Sequence, residues 1–321
     1  MITFRDPSEV PAGFGPSVVA IGKFDGVHAG HRAVIDRAKV DAAATGAKVV
    51  AVTFDRNPLS VLRPDLCPVS LVGVTQKLEL LDRAGVDATL MLTFDEQLAS
   101  LDAEEFVSHV LVGALGVRSV LVGRDFRFGR GGAGDAELLR TMGERFGFVV
   151  QIVDDVRAID SDRRVSSTWI RELLAEGDVA AAGKLLGAAP SVWGEVVHGL
   201  KRGRELGYPT ANLSPDLEGF IPADGVYAGW LIDQGSADGL RPGTRYPAAI
   251  SIGVNPTFDD VLVRQVEAYV LDETDLDLYG HLMQVRFVER IRGMVAFDGI
   301  EALKVQMADD VERVRAVLGA H

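Results

Sequence analysis

Two histidines three positions apart, in the stretch GKFDGVHAGH at 22–31, are the first residues of this chain whose types and spacing suit chemistry. They follow the apolar run VVAIG and lead into an amphipathic stretch, so they stand at a strand-to-helix junction with the helix expected to begin near His31. Such a junction presents unpaired N–H groups and the positive end of a helix dipole, which makes an anion its natural occupant. His28 and His31 can then face one phosphate, with Gly22 and Phe24 in the same loop and Gly30 leaving room for close backbone approach. The spacing is neither GxGxxG nor GxxxxGK[ST], so the usual dinucleotide and P-loop fingerprints do not apply. Alone, each histidine reads equally well as a helix cap. A zinc pair is a further alternative, for which Asp25 is the nearest additional ligand.

A second patch, VSSTWIR at 165–171, sets Ser166, Ser167 and Thr168 at a helix start, with Arg171 one turn in and Arg163 and Arg164 just upstream. Hydroxyls, free N–H groups and guanidinium together make a second phosphate cradle. By itself it is a good N-cap followed by a surface arginine. The two patches in one half of the chain are far more specific than either alone.

The elements that must position them follow from periodicity. The runs at 18–22, 48–54, 88–92, 119–123 and 148–153 are apolar almost throughout, as strands of a parallel sheet covered on both faces should be. Helical patterns at 31–44, 75–84, 103–112 and 135–146 alternate with them, and Asp102 followed by Glu105 is a capping box. Short helices are expected at 168–176 and 178–186. After GAAP at 187–190, strand-like stretches alternate with turn clusters, the pattern of an antiparallel sheet or barrel. A final helix at 299–318 carries Ile300, Leu303, Met307, Val311, Val314 and Leu318 on one face.

Composition narrows the function. With 321 residues, 47% hydrophobic and 25% charged, the chain suits two globular domains. A net charge of −13 argues against nucleic acid or an anionic membrane as partner, so any anion must be held locally. One cysteine excludes an intramolecular disulfide and a cysteine-based zinc site. The opening MITFRDPSEV lacks the apolar core of a signal peptide, and no apolar run approaches the ~20 residues of a membrane span, so a cytoplasmic protein is expected.

GKFDGVHAGH together with VSSTWIR resembles the HxGH nucleotidyltransferases, and in detail the FMN adenylyltransferase module of prokaryotic bifunctional riboflavin kinase/FAD synthetases. TFDRNP (53–58) and GRDFRFGRGGAGD (123–135) are similar to further segments of that module, and GEVVHGLKRGRELGYPTANL (194–213) to the riboflavin kinase signature. The resemblance implies an α/β fold: a Rossmann-like parallel-sheet nucleotidyltransferase domain at 1–187, then a riboflavin kinase domain at 188–321 built as an antiparallel β-barrel with a terminal helix. It implies that riboflavin and ATP give FMN, and that FMN and ATP give FAD and pyrophosphate, with Mg²⁺ as cofactor.

Residue by residue, the resemblance gives His28 and His31 the ATP phosphates, and Ser167, Thr168 and Arg171 the departing β- and γ-phosphates. Asn57, Asp125, Phe126 and Phe128 become flavin contacts, Asp125 standing where the family often has Asn. In the second half Thr210 and Asn212 become Mg²⁺ ligands, and Glu267 in RQVEAYVLD the base that accepts the ribityl hydroxyl proton. Gly199, Gly207, Pro209 and Asn255 line the nucleotide or flavin pocket, with Lys201, Arg202 and Arg204 in the preceding loop and Phe258 beyond. The partners expected are small molecules, and self-association into a homo-oligomer stays open. The alternatives are a flavin-binding sensor with reduced catalysis and a nucleotidyltransferase with a different acceptor.

Overall fold

A computed structural model describes residues 1–159, 161–199, 207–235, 243–254, 264–273 and 276–319. By packing, the chain divides into two compact units, 1–167 and 168–321. The first unit holds a parallel sheet of β1 (Ile2–Phe4), β2 (Ser17–Ile21), β3 (Lys48–Phe54), β4 (Ala88–Leu92), β5 (Val117–Gly123) and β6 (Val149–Val153), in the order β1-β4-β3-β2-β5-β6. Alternate residues of β2 feed two cores: Val19 and Ile21 pack on one face of the sheet, Val18 and Ala20 on the other. That two-sided burial is why these strands lack a polar alternation.

Around the sheet lie α1 (Ala29–Thr45), α2 (Leu59–Leu62), α3 (Val74–Arg83), α4 (Glu96–Ser100), α5 (Ala103–Glu105, winding on as a π-helical stretch over Phe106–Ala114) and α6 (Ala136–Phe146). The Asp102–Glu105 capping box forms as its spacing predicts. Strand β1 and the short α2 and α4 carry too few residues for a periodic signal and have no counterpart in the sequence reading.

The second unit takes in α7 (Ser167–Glu176) from Thr168 onward and α8 (Val179–Leu186). By packing the division falls at 167/168, while the domain boundary read from the sequence lies at 187. The reason is tertiary: α8 packs on β12 (Leu282–Arg292), and the Ala223 N–H donates to the Leu174 carbonyl. Strands β7 (Ser191–Val197), β8 (Thr210–Leu213), β9 (Gly225–Asp233), β10 (Arg245–Val254), β11 (Arg264–Val270) and β12 close into an antiparallel barrel, ordered β10-β11-β8-β7-β12-β9. The terminal helix α9 (Ile300–Leu318) buries Val314 against Val226, Ala228 and Ile291, with Val311 and Leu318 alongside. Ile300, expected on that apolar face, is 60% exposed, because α9 engages the barrel through its later turns.

Candidate active sites

In the first unit β2 pairs with β3 on one side and β5 on the other, so the chain winds outward in both directions from β2. The loop leaving β2 thus lies at the topological switch point, where open parallel sheets bind ligands. Phe24 (φ 47°) and Val27 (φ 42°) in that loop occupy left-handed backbone, rare for any L-residue and most of all for a β-branched one. Strain of about 1–3 kcal/mol per residue persists only where surroundings enforce it. Here Phe24 and Val27 are buried with Ile35 and Ala38. Thr53 Oγ1 donates to the Lys23 carbonyl (3.1 Å), and Asp25 Oδ1 accepts from the Leu71 N–H (2.8 Å).

Helix α1 starts at Ala29, two residues before His31, and His28 takes the N-cap position with extended backbone. Its imidazole makes no side-chain cap hydrogen bond and instead stacks on His31, ring centroids 3.8 Å apart and planes 21° from parallel. Gly30 permits this stack: a Cβ there would stand 3.2 Å from the His28 ring. Gly22 has a similar tie to Phe24, whose ring lies 3.5 Å from where a Cβ would sit.

Burial pushes the His31 pKa well below its ordinary value, and the neighbouring charges of His28, Lys77, Arg164 and Arg32 push it the same way. His31 is therefore neutral at pH 7 and meets an anion as a hydrogen-bonding imidazole rather than a cation. Its Nδ1 is buried without a hydrogen-bond partner among the described residues, as a group waiting for a ligand would be.

Ser167 opens α7, and its Oγ donates to the Asp25 carbonyl at 2.9 Å, which brings the start of the second cradle to the histidine loop. Thr168, exposed, and Arg171, half-buried, follow on α7 within the second unit.

The expected flavin contacts separate. Asn57 Oδ1 accepts from the Leu59 N–H (3.1 Å), so this carboxamide starts the turn into α2. Asp125 pairs with Arg164 at 3.0 Å, and Arg164 also reaches Asp155 at 3.1 Å. Phe126 and Phe128 stack at 5.4 Å, but Phe128 is only 9% exposed and packs on Phe106. A Cβ on Gly134 would lie 2.7 Å from the Phe128 ring, which fixes the ring in the core. Phe128 is thus buried in the core, while Phe126 is half-buried against it.

Lys77 was missed by the sequence reading. It stands on α3 four positions before fully buried Leu81, is 7% exposed, and donates from Nζ to the Phe54 carbonyl at 2.8 Å. The available signal was a lysine on the apolar stripe of an amphipathic helix.

In the second unit, Asn212 on β8 pairs with Glu267 on β11, and Thr210 with Tyr269. Val266, Ala268 and Val270 turn to the buried face, so Glu267 and Tyr269 share the other face with Thr210 and Asn212. Thr210 Oγ1 donates to Glu267 Oε2 at 3.4 Å. Asn212 Nδ2 donates to the Thr210 carbonyl (3.2 Å) and to its Oγ1 (3.4 Å), which turns Oδ1 outward as an acceptor. A Cβ on Gly199 would lie 2.5 Å from the Asn212 carboxamide, so a larger residue there would force the carboxamide or the backbone to shift.

Gly207 sits at φ 87° in the turn before Pro209, and Tyr208 packs edge-on to Tyr269 at 5.1 Å, holding the turn to β11. Strand β8 bridges β7 and β11 through TANL. Asn255, Phe258, Lys201, Arg202 and Arg204 lie outside the described residues.

A parallel sheet with paired imidazoles at its switch point, followed in one chain by a barrel that aligns hydroxyl, carboxamide and carboxylate, defines a two-domain nucleotide-using transferase. A model of FAD synthetase matches residues 12–169, and one of riboflavin kinase matches 186–318. The Escherichia coli K12 bifunctional riboflavin kinase/FMN adenylyltransferase is 36% identical over 94% of this chain and 93% of its own. The protein of that name from Haemophilus influenzae is 33% identical over 93% of both. A crystal structure of a Streptococcus pneumoniae protein, described as a macrolide-efflux protein, aligns with a TM-score of 0.84 at 34% identity, covering 98% of each chain. The chain belongs to the bifunctional riboflavin kinase/FMN adenylyltransferase family. Among the described residues no helix is long and apolar enough to cross a membrane.

Proposed function

We propose that the two reactions are run by two separate sets of residues, His28 and His31 in the first unit and Thr210, Asn212 and Glu267 in the second. The observation that carries this reading is that each set is assembled wholly within its own unit.

In the adenylyl transfer a phosphate oxygen of FMN attacks the α-phosphorus of ATP, and the bond to the β-phosphate oxygen breaks to release pyrophosphate. The nucleophile is already anionic, so alignment and charge stabilisation matter more than a strong base. Neutral His31 and its stacked partner His28 hydrogen-bond the phosphates, while Arg32 and Arg164 supply the positive potential. Ser167, whose hydroxyl meets the histidine loop, holds the departing pyrophosphate, and Phe126 gives the flavin a stacking face.

In the kinase reaction the ribityl hydroxyl oxygen attacks the γ-phosphorus of ATP, releasing ADP. Glu267 accepts the hydroxyl proton. Thr210 Oγ1 and Asn212 Oδ1 are hard, neutral oxygen donors, which suit Mg²⁺ whose charge is balanced by nucleotide phosphates. Mg²⁺, when bound, screens the triphosphate charge. Thr210 also orients Glu267, and Gly199 keeps the Asn212 carboxamide in place. The net charge of −13 accords with small-molecule partners rather than nucleic acid, and the single cysteine with a cytoplasmic setting.

A time course with riboflavin, excess ATP and Mg²⁺, resolved by chromatography, tests the assignment. FMN rises and then gives way to FAD in the wild type. Glu267→Ala makes no FMN but converts added FMN to FAD, and His31→Ala does the reverse. Loss of both activities in either folded variant refutes the two-set assignment.

A further inference from the structure

Lys77 is a buried ammonium that the two reactions above do not use. Burying a charge is costly, and a leucine or methionine would fill the same stripe of α3 without that cost. Its surroundings point to the adenylyl-transfer site. Nζ donates to the carbonyl of Phe54, the last residue of β3, which is the strand paired with β2. Burial lowers the Lys77 pKa, and two carboxylates partly offset this in favour of the charged form, Asp25 in the histidine loop and Asp55 directly after β3. Asp25 also accepts the Ser167 hydroxyl through its carbonyl, so the histidine loop, Ser167 and Lys77 all meet at Asp25.

We propose that Lys77 is a positioning residue of the adenylyl-transfer site, tying the end of β3 beside Asp25 and setting a fixed positive charge behind the imidazole pair that holds the triphosphate. The inference rests on the reading of His28 and His31 as the phosphate site. The charges that act on His31 are its stacked neighbour His28 and Arg32 from α1, Lys77 from α3, and Arg164 from the segment before α7. Removing Lys77 removes one cation from this set, so His31 becomes easier to protonate.

Full-length Lys77→Met, Lys77→Arg and His31→Ala are compared for FAD formation from FMN across ATP concentrations and from pH 5.5 to 8.5, with riboflavin phosphorylation and the thermal transition as controls. Lys77→Met is expected to lower kcat/KM for ATP by about ten- to a hundredfold and to move the acid limb of the profile to higher pH. Lys77→Arg restores most of the rate and the original limb, and kinase activity is unchanged in both. An unshifted acid limb in Lys77→Met, or a loss accounted for by unfolding and equal in both lysine variants, leaves Lys77 a packing residue and overturns the proposal. FAD formation at the wild-type rate by His31→Ala instead overturns the reading of the phosphate site itself.

Discussion

Glu267 stands opposite Asn212 in the ladder between β11 and β8, and its Oε2 accepts the hydroxyl of Thr210, two residues earlier on β8. Because side chains alternate between faces, a slip of one residue in this pairing would turn Glu267 into the buried face and separate all three groups. The register is therefore as much a part of the proposed kinase site as the residue types. Glu267→Gln keeps the size and loses the proton acceptor. Riboflavin phosphorylation should fall by about a hundredfold or more, with FMN adenylylation left unchanged in the same preparation.

Gly199 tests the positioning of Asn212 without touching it. The added methyl of Gly199→Ala meets the carboxamide at 2.5 Å, so the carboxamide or the 198–199 backbone must shift. Kinase kcat/KM should drop by about tenfold or more, since displacement on the ångström scale is costly to an aligned reaction. Steady-state rates of both activities check this, and an unaffected kinase would show that Asn212 has no positional role.

Gly30→Ala is the matching change in the first unit. Its Cβ presses on the His28 ring at 3.2 Å and disturbs the stack on His31. A loss of about tenfold in FAD formation is expected, with riboflavin phosphorylation intact.

The stability of the first unit should depend on His31 at acid pH. Burial, aided by nearby cations, depresses its folded pKa below the unfolded value of ~6.5. The unfolded chain then binds more protons over that interval, so stability is fully present above the unfolded pKa and is lost as pH falls toward the folded one. The urea midpoint of the first unit should fall between pH 7.5 and 5.5, and by less in His31→Gln. Equal falls in the two proteins would contradict the assignment.

Phe126 and Phe128 should separate stability from flavin binding. Phe128→Ala removes a core ring and should destabilise the first unit by about 3–5 kcal/mol. Phe126→Ala should leave the urea midpoint closer to wild type and raise the KM for FMN. The opposite pattern would exchange their roles.

Much of this protein was legible in its residue order. Uninterrupted apolar runs marked the parallel strands because both sheet faces are covered, and the change to short strands and turns marked the barrel. GKFDGVHAGH and GYPTAN sit on local elements, so their spacing was visible in the sequence, while the roles given to their residues came from the family resemblance. Tertiary structure decided what local pattern does not encode. Helices α7 and α8 were visible, yet their place with the barrel comes from packing against β12. Phe126 and Phe128 look alike in sequence, and only the approach of Phe106 and Gly134 makes one of them core. Gly30 and Gly199 are permissive anywhere in a chain; here each has a side chain close against it, an imidazole at one and, more tightly, the carboxamide of Asn212 from the next strand at the other. Lys77 shows the same limit, since a helix pattern can place a lysine on the buried stripe but not tell which strand end and which carboxylates will surround its charge.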